Sequence, residues 1–351
     1  TSLNKADGNV DLHEAGWVNN ELQQYVDSTD NIYVKDGELV IKPVKTVDAS
    51  GKATYTSGRV NTQNKHDFKY GYFEARLKVP EGMGYLPAFW MMPTDENLYG
   101  QWPRCGEIDI MEVMGQETDK AYGTVHFGNP HDQRQGTKRL SQGDFSNEYH
   151  VYAVDWQPGK ISWYIDGVEY YTTSDWHSTT EGQGTVTYPA PFDQPFYMIL
   201  NLAVGGSWVG YPDETTTFDD QQFTIDYVRV YQKTDGYLEE GITRPKKPAV
   251  VIRDADATGN YVLNGSFKET DPLDGSKNFE YLNGPGGEGK ASIVSNTKFG
   301  NVNAVKIETI NAGTEDYSIQ FVQPNLPVEQ GGIYKVSFDS YAEPKTAPQA
   351  Y

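Results

Sequence analysis

Cysteine is almost absent from this chain: Cys105 is the single one among 351 residues. One thiol cannot make a disulfide framework, a thiolate zinc site or an iron–sulfur cluster. No apolar run approaches the ~18 residues that a spanning helix needs, so no membrane span is expected. Basic side chains are scarce, with 29 Lys and Arg against 49 Asp and Glu and a net charge of -20. Phosphate backbones are held by clustered Lys and Arg, so no nucleic-acid partner is expected. The opening residues TSLNKADGNV lack the charged and apolar regions of a signal peptide, which is also how a processed secreted chain looks. A 3.6-residue apolar period sustained over a dozen residues is lacking as well, which argues against amphipathic helices.

What is plentiful is aromatic residues and turn formers: 25 Tyr, 14 Phe and 7 Trp beside 35 Gly and 19 Pro. Apolar-rich or alternating stretches recur at NIYVKDGELVIKP, YGYFEARLKVP, GEIDIMEVM, AYGTVHFG, HVYAVDWQ, ISWYIDGVEYY, FYMILNLAV and FTIDYVRVYQ. Asp36-Gly37 and Asp166-Gly167 each fall between two such halves, the strongest short hairpin cue. Short strands with frequent turns predict an all-β sandwich or jelly roll.

After Tyr231 the pattern breaks into DGYLEEGITRPKKPAVVIRDADATG, charged and proline-containing, which reads as a linker. The expected organisation is a first β domain over 1–235, a linker over 236–257 and a smaller, incomplete β domain over 258–351. Residues 1–235 hold 18 basic and 34 acidic side chains, against 11 and 15 beyond them, so the acidity belongs mainly to the first domain.

Glu107, Asp109 and Glu112 share the segment GEIDIMEVMG. On a regular strand 107, 109 and 111 share one face and 112 points away. A one-residue bulge near Met111 turns Glu112 back onto the face of the other two. In a chain this acidic such spacing arises by chance roughly one time in ten, and a solvated strand face is the plain alternative. Three like charges on one strand repel, however, and a purely structural strand would mix in Lys or Thr. Trp90 and Trp102 flank the cluster. Paired carboxylates with indole platforms are what glycoside hydrolysis requires: one acid at the anomeric carbon, one protonating the leaving oxygen, and sugar rings on flat π faces.

The segments WPRCGEIDIME, YTSGRVNTQNKHDFKYGYFEARLKVPEGMGYLPAFWMMP, PFYMILNLAVGGSWVGYPD and FTIDYVRVYQ together resemble glycoside hydrolase family 16, in the manner of the laminarinase-type endo-β-1,3-glucanases. The resemblance covers about residues 15–232. It implies a jelly-roll β-sandwich with a concave cleft and a retaining mechanism without a catalytic cofactor. Glu107 would be the nucleophile, Asp109 its helper and Glu112 the acid/base, with β-glucan as substrate and a secreted monomer as the working form. The resemblance places His126 on the neighbouring strand facing the acids, and Asn20, Arg59, Asn201 and Trp208, with Trp90 and Trp102, along the sugar sites. It also implies a structural calcium ion on the convex side, held by the Gly37 carbonyl and Asp226. The family's opening W-x-D-E-F-like strand, which carries a further calcium ligand, has no counterpart here. Residues 258–351 resemble the first part of a family 4/9-type carbohydrate-binding sandwich, without a tryptophan after Trp208. The alternatives are a hydrolase of mixed-linkage glucan, agar or carrageenan, and a non-catalytic β-glucan-binding protein.

Overall fold

The structure, a computed structural model, describes residues 5–180, 184–245, 254–284, 286–296, 302–313, 318–324, 326–328 and 333–341. It falls into two compact units, Thr1–Pro245 and Lys246–Tyr351. Residues 237–244, expected within the linker, hold to the first unit: Tyr237 packs on Tyr70 and Arg244 pairs with Asp175 at 2.6 Å. No helix is present among the described residues, and none is long and apolar enough to cross a membrane.

The first unit is a sandwich of two antiparallel sheets, one of eight strands and one of seven. Alternation builds the seven-stranded sheet. In Gly71–Lys78, Phe73, Ala75 and Leu77 are buried while Tyr72, Glu74, Arg76 and Lys78 turn outward. His150–Gln157 and Lys160–Ile165 add Tyr152, Val154, Trp156, Ile161 and Trp163 to the same core. Both Asp-Gly pairs make the hairpins their chemistry dictates. Asp36 and Gly37 join Ile32–Lys35 to Glu38–Ile41 with φ of 53° and 92°; Asp166 and Gly167 have φ of 51° and 77°. Two successive positive φ values match the right-handed twist of the flanking strands.

The eight-stranded sheet has Tyr85–Pro93 at its centre, paired with Phe196–Val204 on one side and Glu107–Val113 on the other. Beyond Glu107–Val113 follow Lys120–Phe127 and Asp132–Arg139. Pro87 and Pro93 lie outside the stretch of Tyr85–Pro93 that pairs with Glu107–Val113, so their missing N–H groups cost no bond in that ladder.

Three tryptophans are fully buried, and each spends its indole N–H on a backbone carbonyl: Trp156 on Phe192, Trp176 on Pro189 and Trp163 on Asp109, at 3.2, 2.9 and 2.8 Å. The last is local to a break in register. Asp109 pairs with Thr124 and Glu112 with Tyr122, so Ile110 and Met111 stand opposite Gly123 alone. This is the bulge expected near Met111. A side chain at Gly123 would collide with Trp163, because a Cβ there would lie 2.4 Å from Cδ1 of the indole and 2.5 Å from the Tyr170 hydroxyl. Gly123 therefore makes the room in which Trp163 reaches the bulge carbonyl.

Among its described residues the second unit carries two two-stranded pairings, Glu280–Asn283 with Ile319–Val322 and Gly287–Asn296 with Val302–Ala312. Among the same described residues Phe279 stacks on Phe321 at 4.8 Å and packs against Phe267, and Leu273 is buried.

Trp163→Phe keeps most of the ring volume but removes the donor, so the Asp109 carbonyl loses its partner. The expected loss is about 1–3 kcal/mol, a fall of several degrees in melting temperature for a unit of this size. Gly123→Ala should act in the same direction through overpacking. Thermal melts matching the parent for both variants would contradict this account of the bulge.

Candidate active site

Strand register decides which side chains share the face turned away from the core. Across the sheet, Arg59, Asn201, Ala88, Glu112 and Tyr122 stand side by side in one row. Asn61, Ile199, Trp90, Asp109 and Thr124 form the next row, and Glu107 pairs with His126 beyond it. The bulge puts Glu112 on this face: with regular alternation Met111 would stand there instead. Ile108, Ile110, Met111 and Val113 are buried within the core.

Glu107 is held from two sides. Trp102 donates its indole N–H to Oε2 at 2.8 Å, and Nε2 of His126 lies 3.9 Å from Oε1. The same Nε2 is 3.2 Å from Oδ2 of the buried Asp109, a close charge contact that is not aligned as a hydrogen bond. Nδ1 of His126 meets Nε2 of His131 at 2.9 Å. Trp102 is 46% exposed, so its indole is available to a sugar ring while its edge holds the carboxylate.

The charges of the cluster are coupled. Burial, and then the negative charge of Asp109, push Glu107 up to about 8. The same two causes raise Glu112 well above the ordinary range, with Glu107 adding to them. Burial works to lower His126, but Asp109, Glu107 and Glu112 outweigh it and raise the imidazole to about 9. Glu107 has the Trp102 donor and the nearby imidazolium to favour its anion, so it releases its proton before Glu112 does. Cys105 clusters with Met92, Tyr197 and Ile199, against which Trp90 packs. Burial pushes its thiol up to about 12, which makes it a packing residue rather than a nucleophile.

At the other end of the rows Arg59 is clamped. Its Nε donates to Asp11 at 2.9 Å, and its guanidinium lies between Trp17 and Trp90, 5.3 and 4.7 Å from the ring centroids. Trp17, 49% exposed, stacks on His13 at 3.5 Å. Trp90 donates its indole N–H to Asn201 at 2.6 Å, and Asn201 donates to the Tyr25 hydroxyl at 3.0 Å. Asn20 bonds Ser207 at 2.8 Å beside Trp208, whose ring stands edge-on to Tyr122, the cross-strand neighbour of Glu112. The structure thus joins Arg59, Trp90 and Asn201 directly, places Glu107, Asp109, Trp102 and His126 in one cluster, and brings Trp208 to the Glu112 side.

Sequence reading missed Asp11, His13, Trp17, Tyr25 and His131. Trp17 and Tyr25 stand in WVNNELQQY, the segment that carries Asn20, and so carried some signal. Asp11, His13 and His131 are linked to the site through contacts that spacing does not announce.

Two groups of residues bear on metal. Asp226 accepts a 2.7 Å bond from Arg76, whose guanidinium lies 4.5 Å from the Tyr149 ring centroid. That carboxylate already has its counter-cation, so the expected pairing of Asp226 with the Gly37 carbonyl does not fit a calcium ion. Donor atoms of Glu107, Asp109 and His126 lie within 4.8 Å of one another. The raised His126 holds a proton there, which a metal ion would have to displace in order to bind.

The glycosyl hydrolases family 16 model matches residues 18–229, within the first unit. Glucan endo-1,3-beta-glucosidase A1 of Niallia circulans is 42% identical over an alignment of 229 residues that covers 62% of this chain and 33% of that protein. A glucan endo-1,3-beta-glucosidase of Cryptopygus antarcticus is 39% identical over 236 residues, covering 63% of this chain and 84% of the other. The solved laminarinase catalytic domain of Thermotoga maritima superposes with a TM-score of 0.57 at 37% identity, over 66% of this chain and 94% of that one. The chain therefore spans only about a third of the Niallia protein and nearly all of the Thermotoga domain.

The raised Glu112 has a consequence for stability. The folded state keeps its proton above the ordinary glutamate value of 4.5. Folded protein then binds more protons than unfolded, and stability falls as pH rises through that window. Glu112→Gln removes this penalty. The variant should melt several degrees above the parent at pH ~8 and level with it at pH ~4. An equal difference at both pH values would contradict the assigned direction.

Proposed function

Because the chain belongs to glycosyl hydrolases family 16, we propose that it is a retaining endo-β-1,3-glucanase acting on laminarin-type glucan. The observation that carries this reading is the bulged strand. It sets Glu107, Asp109 and Glu112 on one open face, with an exposed indole hydrogen-bonded to Glu107.

In the first step the ionised Glu107 attacks the anomeric carbon while the glycosidic C–O bond breaks. Glu112 gives its proton to the departing oxygen. Trp102 fixes the attacking carboxylate, and the charged His126 balances the anions of Glu107 and Asp109. Esterification of Glu107 removes one negative charge from beside Glu112, whose proton affinity then falls. Glu112 can now take a proton from water, which attacks the anomeric carbon from the face the leaving group vacated. The ester bond breaks, the Glu107 carboxylate returns, and the product keeps the β-configuration. Asp109 holds Glu112 protonated through its charge and meets His126 with its carboxylate. Arg59, Trp90, Asn201, Asn20 and Trp208 line the path of the sugar chain on either side.

The names of the Niallia and Cryptopygus relatives support glucan over galactan as substrate. The intact acids, with Glu112 poised to hold a proton, support an enzyme over a silent glucan-binding protein. We read the protein as extracellular, where its polymeric substrate is found. The second unit we read as part of a carbohydrate-binding β domain, with Tyr or Phe in place of a tryptophan platform.

Glu107→Ala should abolish release of reducing sugar from laminarin while leaving glucan binding measurable. Glu112→Gln should slow release about 10²- to 10⁴-fold. NMR of the parent reaction should show the β-anomer first; an α-anomer appearing first contradicts the mechanism. Parallel assays on lichenan, agarose and carrageenan test the linkage, and faster release from any of these than from laminarin overturns the substrate assignment.

A further inference from the structure

His131 lies in the turn that joins Lys120–Phe127 to Asp132–Arg139, outside the strand that carries the three acids. Its Nε2 is 2.9 Å from Nδ1 of His126, and the two rings are nearly parallel, 5.1 Å apart at 21°. A second ring contact is with Trp102, whose indole centroid is 4.9 Å away at 37°. One imidazole therefore touches both groups that flank Glu107: the indole that donates to Oε2 and the histidine that faces Oε1.

Two ring nitrogens at 2.9 Å must share one hydrogen, and the surroundings decide which ring supplies it. Nε2 of His126 faces Asp109 and Glu107, so it carries a proton toward the carboxylates. The three acids also hold the whole His126 ring as a cation, so Nδ1 carries a proton too. His131 is under the opposite pressure: burial first and then the His126 charge lower it, and Asp132 alone opposes them. Asp132 is itself engaged by Arg134 at 2.9 Å. His131 thus stays neutral and offers Nε2 as the acceptor.

We propose that His131 is a positioning residue for the reaction: its Nε2 accepts a hydrogen bond from Nδ1–H of His126 and its ring braces Trp102, fixing the two groups that flank Glu107. This rests on the assignment of Glu107 as nucleophile, although the His126–His131 bond can be tested without substrate. The bond has a built-in acid limit. Once His131 is protonated, both ring nitrogens are donors, and the pair must separate.

The test compares His131→Ala and His131→Gln in the full chain, with ¹⁵N-histidine NMR of the unliganded protein beside kinetics on laminarin. His131 is exposed, so both variants should melt with the parent. His131→Ala should lower the His126 titration by about one unit, a tenfold shift in its protonation equilibrium. It should reduce kcat about ten- to hundredfold and move the basic limb of the rate profile to lower pH. His131→Gln supplies a carbonyl acceptor and should recover most of both effects. The proposal is overturned if His131→Ala leaves either the His126 titration or kcat at the parent value, or if His131→Gln is no better than His131→Ala. A protein inactive on every glucan, with the NMR shifts as described, would overturn the nucleophile assignment and with it the role in turnover, while leaving the hydrogen bond in place.

Discussion

The 2.8 Å bond from the Trp163 indole to the Asp109 carbonyl is the contact on which the site depends. It comes from the opposite sheet, through a gap left by Gly123, and reaches the strand at the point where register shifts by one residue. Without that shift Glu112 would face the core, where an unpaired acid costs several kcal/mol. With it, three carboxylates share a face and a continuous apolar core survives beneath them. Packing between the sheets and chemistry on the outer face are thus two aspects of one bulge.

The outer face carries the opposite balance. Two glutamates raised by burial and by the charge of Asp109, with an imidazole raised by all three acids, are an arrangement that folding alone would not select. Each raised carboxyl lowers stability as pH climbs, and the core repays it with fully buried aromatic side chains such as Trp156, Trp163 and Phe73. The Arg59 clamp shows a milder form of the same trade, a largely buried guanidinium held by Asp11 and two indole faces.

Much of this was legible in the sequence, and the parts that were not share physical reasons. Alternation exposed the strands of the seven-stranded sheet, and Asp36-Gly37 and Asp166-Gly167 marked their hairpins. Asp132–Arg139 escaped because it has no apolar residue at all: it is an edge strand that pairs on one side only. Tyr85–Pro93 was masked as a strand by its two prolines, harmless here because pairing with Glu107–Val113 begins at Ala88. The three acids and a bulge near Met111 were readable from spacing. Asp11 was not, since its partner Arg59 is distant in sequence; His131 was not, since only the turn after Lys120–Phe127 folds its ring back onto His126. The calcium expectation could not take account of Arg76, which only the sheet register brings to Asp226.

Among all these relations, the central claim is that Glu107 becomes covalently bound to sugar during turnover. A 2-fluoro laminari-oligosaccharide with a good leaving group should trap that ester, and peptide mass spectrometry can locate it. The account predicts one glycosyl adduct per chain, on the peptide carrying Glu107 and at that residue. An adduct on Asp109 or Glu112, or steady turnover of the reagent with none at all, would contradict it.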